Sequence, residues 1–156
     1  MDNPNNRYRV YLIECYPIHT RDNITRIIKI GISKNVKRRL QSLQHSSPFI
    51  LETIFTSPVL DHNAKRLEKW LHDQFAEHRL KGEWFCLVDD KVIQTKNFLG
   101  DESLMDKLEY FRFIANHSKS AKDEWKDKIL DPRVLDKIWE DSLEDGKPKR
   151  DYIFLN

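Results

Sequence analysis

The sequence predicts an α+β domain, a small mixed sheet flanked by helices, followed by a C-terminal helical extension. Three observations carry this. Over residues 8–88, short β-branched and aromatic runs are interleaved with amphipathic helical runs in the order β-β-α-β-α-β. From residue 89 onward every periodic segment has helical spacing. The 156 residues suit one packed core with an appendage rather than two ordinary domains.

The first strand is read in RVYLIECY, Arg9 to Tyr16, where apolar residues on both parities indicate a strand covered on both faces. A polar stretch, PIHTRDN, leads to ITRIIKIGI, and the two runs form an antiparallel hairpin with a long loop. Ser33 is the expected N-cap of KNVKRRLQSLQ, in which Val36, Leu40 and Leu43 recur at helical spacing. Gly31 is expected at the tight strand-to-helix turn, where a side chain would crowd its surroundings. FILETIFT, Phe49 to Thr56, is a third strand set between Pro48 and Pro58. Asp61 is placed as the cap of HNAKRLEKWLHDQFAEHR, Gly82 ends the loop after it, and EWFCLV is a short further strand.

The extension, residues 89–156, contains DKVIQTKNFL, ESLMDKLEYFRFIANH, AKDEWKDKIL and PRVLDKIWEDSL, the last with Asp131 as N-cap and Pro132 at the first helical position. A polar EDGKPKR and an apolar tail, DYIFLN, follow.

A hydrophobic fraction of 39% beside 33% charged residues argues against both disorder and a membrane-embedded chain. No apolar run approaches the length of a bilayer span. The segment MDNPNNRYRV lacks the apolar core of a secretory signal, so the expected location is the cytoplasm, with no membrane partner. Cys15 and Cys86 lie in apolar runs without metal-ligand spacing and are read as reduced core residues.

The net charge of +2 hides an asymmetry: the first hundred residues carry 16 of the 27 basic and 11 of the 25 acidic residues. No Asp or Glu occurs between Asp22 and Glu52, where Arg26, Lys29, Lys34, Lys37, Arg38 and Arg39 all fall. Such a window suits a polyanion, since neutralised phosphates release their counterions, although a solvated face paired elsewhere in the chain gives the same charge pattern.

Two charges stand at core-facing positions. Glu68 interrupts the stripe formed by Ala64, Leu71 and Phe75, and Arg39 borders the face of Val36 and Leu43. An unpaired buried ion costs several kcal/mol or more, so these charges form a bridge between the two helices, a site, or both.

With Tyr11 on the first strand, Gly31 closing the second, Arg39 eight residues on and Glu68 on the following helix, the chain resembles the GIY-YIG nuclease superfamily from about Tyr8 to Val88. Arg9-Val10-Tyr11 stands at the family's Gly-Ile-Tyr motif and Lys29-Ile30-Gly31 at its Tyr-Ile-Gly motif. Within that superfamily it is most similar to a phage-type DNA-binding branch, on the pieces KIGIS, RRL, LEKWLHDQF and GEWF. The resemblance implies a GIY-YIG-like fold and a metal-dependent DNA endonuclease, a phosphodiester hydrolase. Its catalytic residues would be Tyr11, Arg39 and Glu68, with Lys29 in place of the family's second tyrosine.

In that reading Glu68 holds Mg²⁺ or Mn²⁺, Arg39 stabilises charge on the scissile phosphate, and Tyr11 positions or deprotonates the attacking water. A phenol is a weak base at neutral pH and needs a neighbouring cation, for which Lys29 is the expected source. DNA backbone contacts are expected from Lys34, Lys37, Arg38, Lys65, Arg66 and Lys69. The family's frequent asparagine near the end of the core has no counterpart around GEWFCL, and Leu43 stands where active members often have Tyr or His.

Two alternatives stay open. One is a non-cleaving DNA-binding module on the same fold; the other is a protein-interaction adaptor acting through residues 89–156, by self-association or a partner protein. His72, four residues after Glu68, is read as a polar contact rather than a second metal ligand, and Trp84 and Phe85 as core rather than base-stacking residues.

Overall fold

The computed structural model describes residues 7–17, 25–101, 103–104, 106–107, 132–144 and 146–148. The helices expected over 102–117 and 121–130, the Asp131 cap and the tail 151–156 lie outside the described residues, apart from short pieces of the first.

Five strands form one sheet: β1 (Arg9–Tyr16), β2 (Thr25–Ser33), β3 (Ile50–Thr56), β4 (Arg79–Lys81) and β5 (Trp84–Val88), in the spatial order β3-β1-β2-β5-β4. Every pairing in it is antiparallel, so the α+β class holds while the sheet is not mixed. The physical reason is the connections: β1 joins β2, and β4 joins β5, as hairpins, and β3 returns to the far side of β1 after a helix.

The helices are α1 (Val36–His45), α2 (His62–Gln74), α3 (Asp89–Gly100) and α4 (Pro132–Asp141). A two-stranded piece, β6 (Leu143–Glu144) with β7 (Lys147–Pro148), follows α4 and turns at Gly146.

The sheet has two covered faces, as the apolar residues on both parities of β1 require. Val10, Leu12, Ile28, Ile30, Phe85 and Leu87 point to the larger core, against Leu67 and Leu71 of α2, Phe75 just after it, Val92 and Phe98 of α3, and Leu135 and Trp139 of α4. Its centre is aromatic: Trp139 lies 5.5 Å from Trp70, 5.9 Å from Phe75 and 5.4 Å from Phe98, centroid to centroid. The opposite face carries Tyr11, Ile13, Leu51 and Trp84 under the stripe Val36, Leu40 and Leu43 of α1. α3 and α4 therefore share one core with the sheet.

A polar tie joins three elements at the far end of β1. Arg26 makes two hydrogen bonds to the buried Glu14 carboxylate, at 2.9 and 2.7 Å, and a third to Asp89 at the start of α3, at 3.0 Å. Burial opposes the charge of Glu14, but the Arg26 hydrogen bonds and charge outweigh it and hold its carboxyl below the ordinary value.

Local details differ from the sequence expectation in three places. The cap of α1 is Asn35, whose side chain accepts from the Arg38 amide at 3.0 Å; Ser33 is still in β2, paired with Arg9, and its hydroxyl accepts from the Asn35 amide. Asp61 occupies the N-cap position of α2 with a φ of 50° and makes no side-chain cap bond. The loop expected before EWFCLV contains β4, because Gly82, at φ 57°, turns the chain back as a hairpin.

Candidate active site

The predicted site residues gather at the end of the sheet where β5 stops pairing with β2. Tyr11 in β1 is 1% exposed and lies across from Gly31 in β2. A Cβ at position 31 would fall 2.5 Å from Cζ of Tyr11 and overlap its hydroxyl. Gly31 thus lies inside β2 rather than at the turn, and its missing side chain is the space the phenol ring occupies.

Burial raises the pKa of the Tyr11 hydroxyl above 10; a hydrogen bond and the charge of Arg39 pull it down, while the charges of Glu83 and Glu68 push it up. At neutral pH the phenol keeps its proton. The cation that reaches Tyr11 by hydrogen bond is Arg39, on an otherwise exposed part of α1. The expected Arg39–Glu68 ion pair does not form among the described residues: α1 fully buries none of its residues, and the Arg39 guanidinium acts on the Tyr11 hydroxyl instead.

Lys29, the cation expected to tune Tyr11, has Glu83 as its ion-pair partner. Its ammonium is 2.8 Å from Glu83 Oε2, with only 8% of the side chain exposed, and 5.6 Å from the centroid of the Trp84 ring. Lys29 pairs with Trp84 across the sheet and is the last β2 residue to face β5; the next amide, of Ile30, donates to the Glu83 carbonyl at 3.1 Å.

Beyond that point the β2 edge is open to α2. The Ile30 carbonyl is 2.8 Å from Nε2 of His72, which places a proton on that nitrogen and leaves Nδ1 facing Glu68 Oε1 at 4.0 Å. The Glu68 side chain is 16% exposed. Burial, then the neighbouring charge of Glu83, raise its pKa from 4.5 to about 7, against the charges of Lys29 and Lys65. Carboxyls raised in this way by burial and a like charge occur both at functional positions and in structural ion-pair networks.

Of the cations expected at a DNA backbone, Lys34, Lys37, Arg38, Lys65 and Lys69 are exposed and Arg66 is half-buried. Lys34 stands over the Tyr8 ring at 5.0 Å, Lys69 pairs with Asp73 at 3.0 Å, and the charge of Lys65 reaches Glu68. Trp84 packs partly buried beside Tyr11 and Ile13, and Phe85 is fully buried. Cys15 and Cys86 are free and half-buried.

Sequence reasoning missed Glu83. It bonds Lys29 and its charge acts on both Tyr11 and Glu68. The available signal was its place in GEWF, an acid wedged between a turn glycine and a core aromatic.

Among the described residues no group of three or more His, Cys, Asp or Glu side chains converges as a metal cage, and no helix is long and apolar enough to cross a membrane. Glu68 is the carboxylate here that could hold a divalent ion, whereas zinc needs three or four protein ligands.

The fold and this end of the sheet define an α+β domain with a phenol, a guanidinium, an ammonium and a raised carboxyl grouped beside an exposed basic helix. The chain belongs to the T5orf172 domain family, whose model matches residues 9–100, from the start of β1 to the end of α3. This is a phage-associated domain related to nuclease-like domains. No curated protein and no solved structure matches the chain.

Proposed function

We propose that the chain is a DNA endonuclease of the GIY-YIG type, hydrolysing a phosphodiester at a site formed by Tyr11, Arg39, Glu68 and Lys29. The observation that supports this most is the buried Tyr11 ring fitted against Gly31, with the Arg39 guanidinium and the Glu68 carboxyl within electrostatic reach of its hydroxyl.

Arg39, exposed at its outer end, receives the scissile phosphate through its forked donors, the geometry that suits two phosphate oxygens. Tyr11 remains protonated and orients the attacking water by hydrogen bonding rather than removing its proton as a phenolate. The water oxygen bonds to phosphorus as one P–O ester bond breaks, the departing oxygen takes up a proton, and the proton lost by the water passes to solvent. Glu68 would hold a divalent ion, Mg²⁺ or Mn²⁺, which would supply positive charge to offset the charge developing on the phosphate. Exposed Lys34, Lys37 and Arg38 supply sequence-independent attraction for the backbone.

A second reading, a DNA-binding module that does not cut, is favoured by one observation: a lysine, Lys29, stands at the place of the superfamily's second tyrosine. Incubation with single-stranded, duplex and branched DNA in Mg²⁺, Mn²⁺ or EDTA separates the two. Metal-dependent nicking supports the nuclease; salt-sensitive gel shifts without nicking on any substrate would leave the binding module.

A further inference from the structure

We propose that Glu83 is a positioning residue of this site, which fixes the Lys29 ammonium against the Trp84 ring at the open end of β2. The role in catalysis rests on the nuclease reading above; the placement of Lys29 does not.

Three features carry it. First, the carboxylate is 2.8 Å from the ammonium, and that ammonium belongs to a side chain only 8% exposed. A lysine has a flexible four-carbon stem and follows whichever acceptor lets its charged end leave an apolar wall. Here the wall is Trp84 and the acceptor is Glu83.

Second, the Glu83 backbone is itself fixed. Its carbonyl takes the Ile30 amide at 3.1 Å, and the preceding Gly82, at φ 57°, has its carbonyl tied to Nη1 of Arg79 at 2.9 Å. The carboxylate therefore leaves a braced hairpin rather than a loose loop.

Third, two carboxylates, Glu83 and Glu68, lie within electrostatic reach of each other and of the Tyr11 hydroxyl, and in the nuclease reading above both would repel a phosphate bound there. Lys29 acts on both, by contact with Glu83 and through its charge on Glu68. An ammonium fixed there offsets that repulsion before substrate arrives, which is pre-organisation.

The test uses the full chain with its lysines reductively ¹³C-methylated, a change that keeps their charge, and Lys29 assigned by Lys29→Arg. In the unsubstituted protein the Lys29 dimethylammonium resonance is expected apart from those of the exposed lysines. Glu83→Gln and Glu83→Ala should move it into the exposed set, and Glu83→Asp should restore much of the separation. A Lys29 resonance that stays in place in both Gln and Ala variants overturns the proposal; using two variants covers a failure of either to fold.

The activity arm asks whether that placement matters to the reaction. Glu83→Gln should lower kcat by about tenfold or more with KM for DNA nearly unchanged, and Lys29→Met combined with Glu83→Gln should be no slower than Lys29→Met alone. Full activity in Glu83→Gln with Lys29 displaced overturns the positioning role. If no variant and no unsubstituted protein cleaves, the nuclease reading fails, and the resonance still decides where Glu83 holds Lys29.

Discussion

The Tyr11 ring occupies the volume that a side chain at Gly31 would fill: a Cβ there would lie 2.5 Å from Cζ of the phenol. The two residues are cross-strand partners in the β1–β2 hairpin, so glycine in β2 and tyrosine in β1 form one steric unit. Gly31 is not among the residues with positive φ, and its backbone would accept any residue; the constraint is the ring alone.

Gly31→Ala is accordingly expected to cost about 1–3 kcal/mol, the range for overpacking a filled core. Because the clash falls on the hydroxyl end of the ring, cleavage should fall further than stability. Urea denaturation paired with the nicking assay measures both; a variant as stable and active as the parent would mean that the ring is free to move.

Glu68 gives a stability prediction with a defined sign. Its carboxyl titrates at about 7 in the folded chain against 4.5 as its ordinary value. Between those values the folded form binds the extra proton, so this group's contribution is full below pH 4.5 and is lost as pH rises to about 7. Glu68→Gln removes the penalty. The variant should match the parent near pH 4.5 and exceed it above pH 7 by on the order of 1–2 kcal/mol, allowing for partial solvent screening of a shift worth about 1.4 kcal/mol per unit. Denaturant midpoints compared at pH 5 and pH 8 test it, and a difference that does not grow with pH contradicts it.

Arg39 should separate function from stability. Being exposed, Arg39→Ala is expected to change stability by no more than about 0.5 kcal/mol. It removes the hydrogen bond and charge that lower the Tyr11 pKa, so ultraviolet titration should show Tyr11 ionising at still higher pH. Nicking should fall by about 10²–10³-fold, the scale for loss of one charge-stabilising donor.

These cases show what the sequence could and could not convey. β1, β2, β3, α1 and α2 were legible because their apolar residues recur at strand or helix spacing and bury a face. β4 was not: its three residues are all exposed, and no periodicity can appear in three positions. Glu83 was missed because an acid in a hairpin turn reads as surface, and its partner Lys29 is 54 residues away, brought near only by β2–β5 pairing. The expected Arg39–Glu68 pair does not form among the described residues: spacing tells which face a residue shares, not how deeply that face is buried or which partner it meets.

The Glu14–Arg26 contact provides a control away from the site. Arg26→Met should cost about 3 kcal/mol by leaving the Glu14 carboxylate buried without its main partner. Glu14 titrates below 4.5 in the folded chain, so the stability it contributes is present above that value and disappears as pH falls through its folded pKa. The variant should lose that dependence, and nicking per folded molecule should be unchanged.

Packing of α4 on the core is tested by Trp139→Ala, expected to cost about 3–5 kcal/mol because Trp139 contacts Trp70, Phe75 and Phe98 together. A loss below about 1 kcal/mol in thermal or urea unfolding would show that α4 does not seal the aromatic centre.

The central claim, that Glu68 is the carboxylate of a phosphodiester-cleaving site, is tested most directly by nicking rates of the parent and of Glu68→Ala in Mg²⁺, alongside DNA affinity by gel shift. Nicking by the parent is expected, with a fall of about 10²-fold or more in the variant and affinity within a few-fold of the parent. Nicking by Glu68→Ala at the parent's rate, or none by the parent on any DNA, would contradict it.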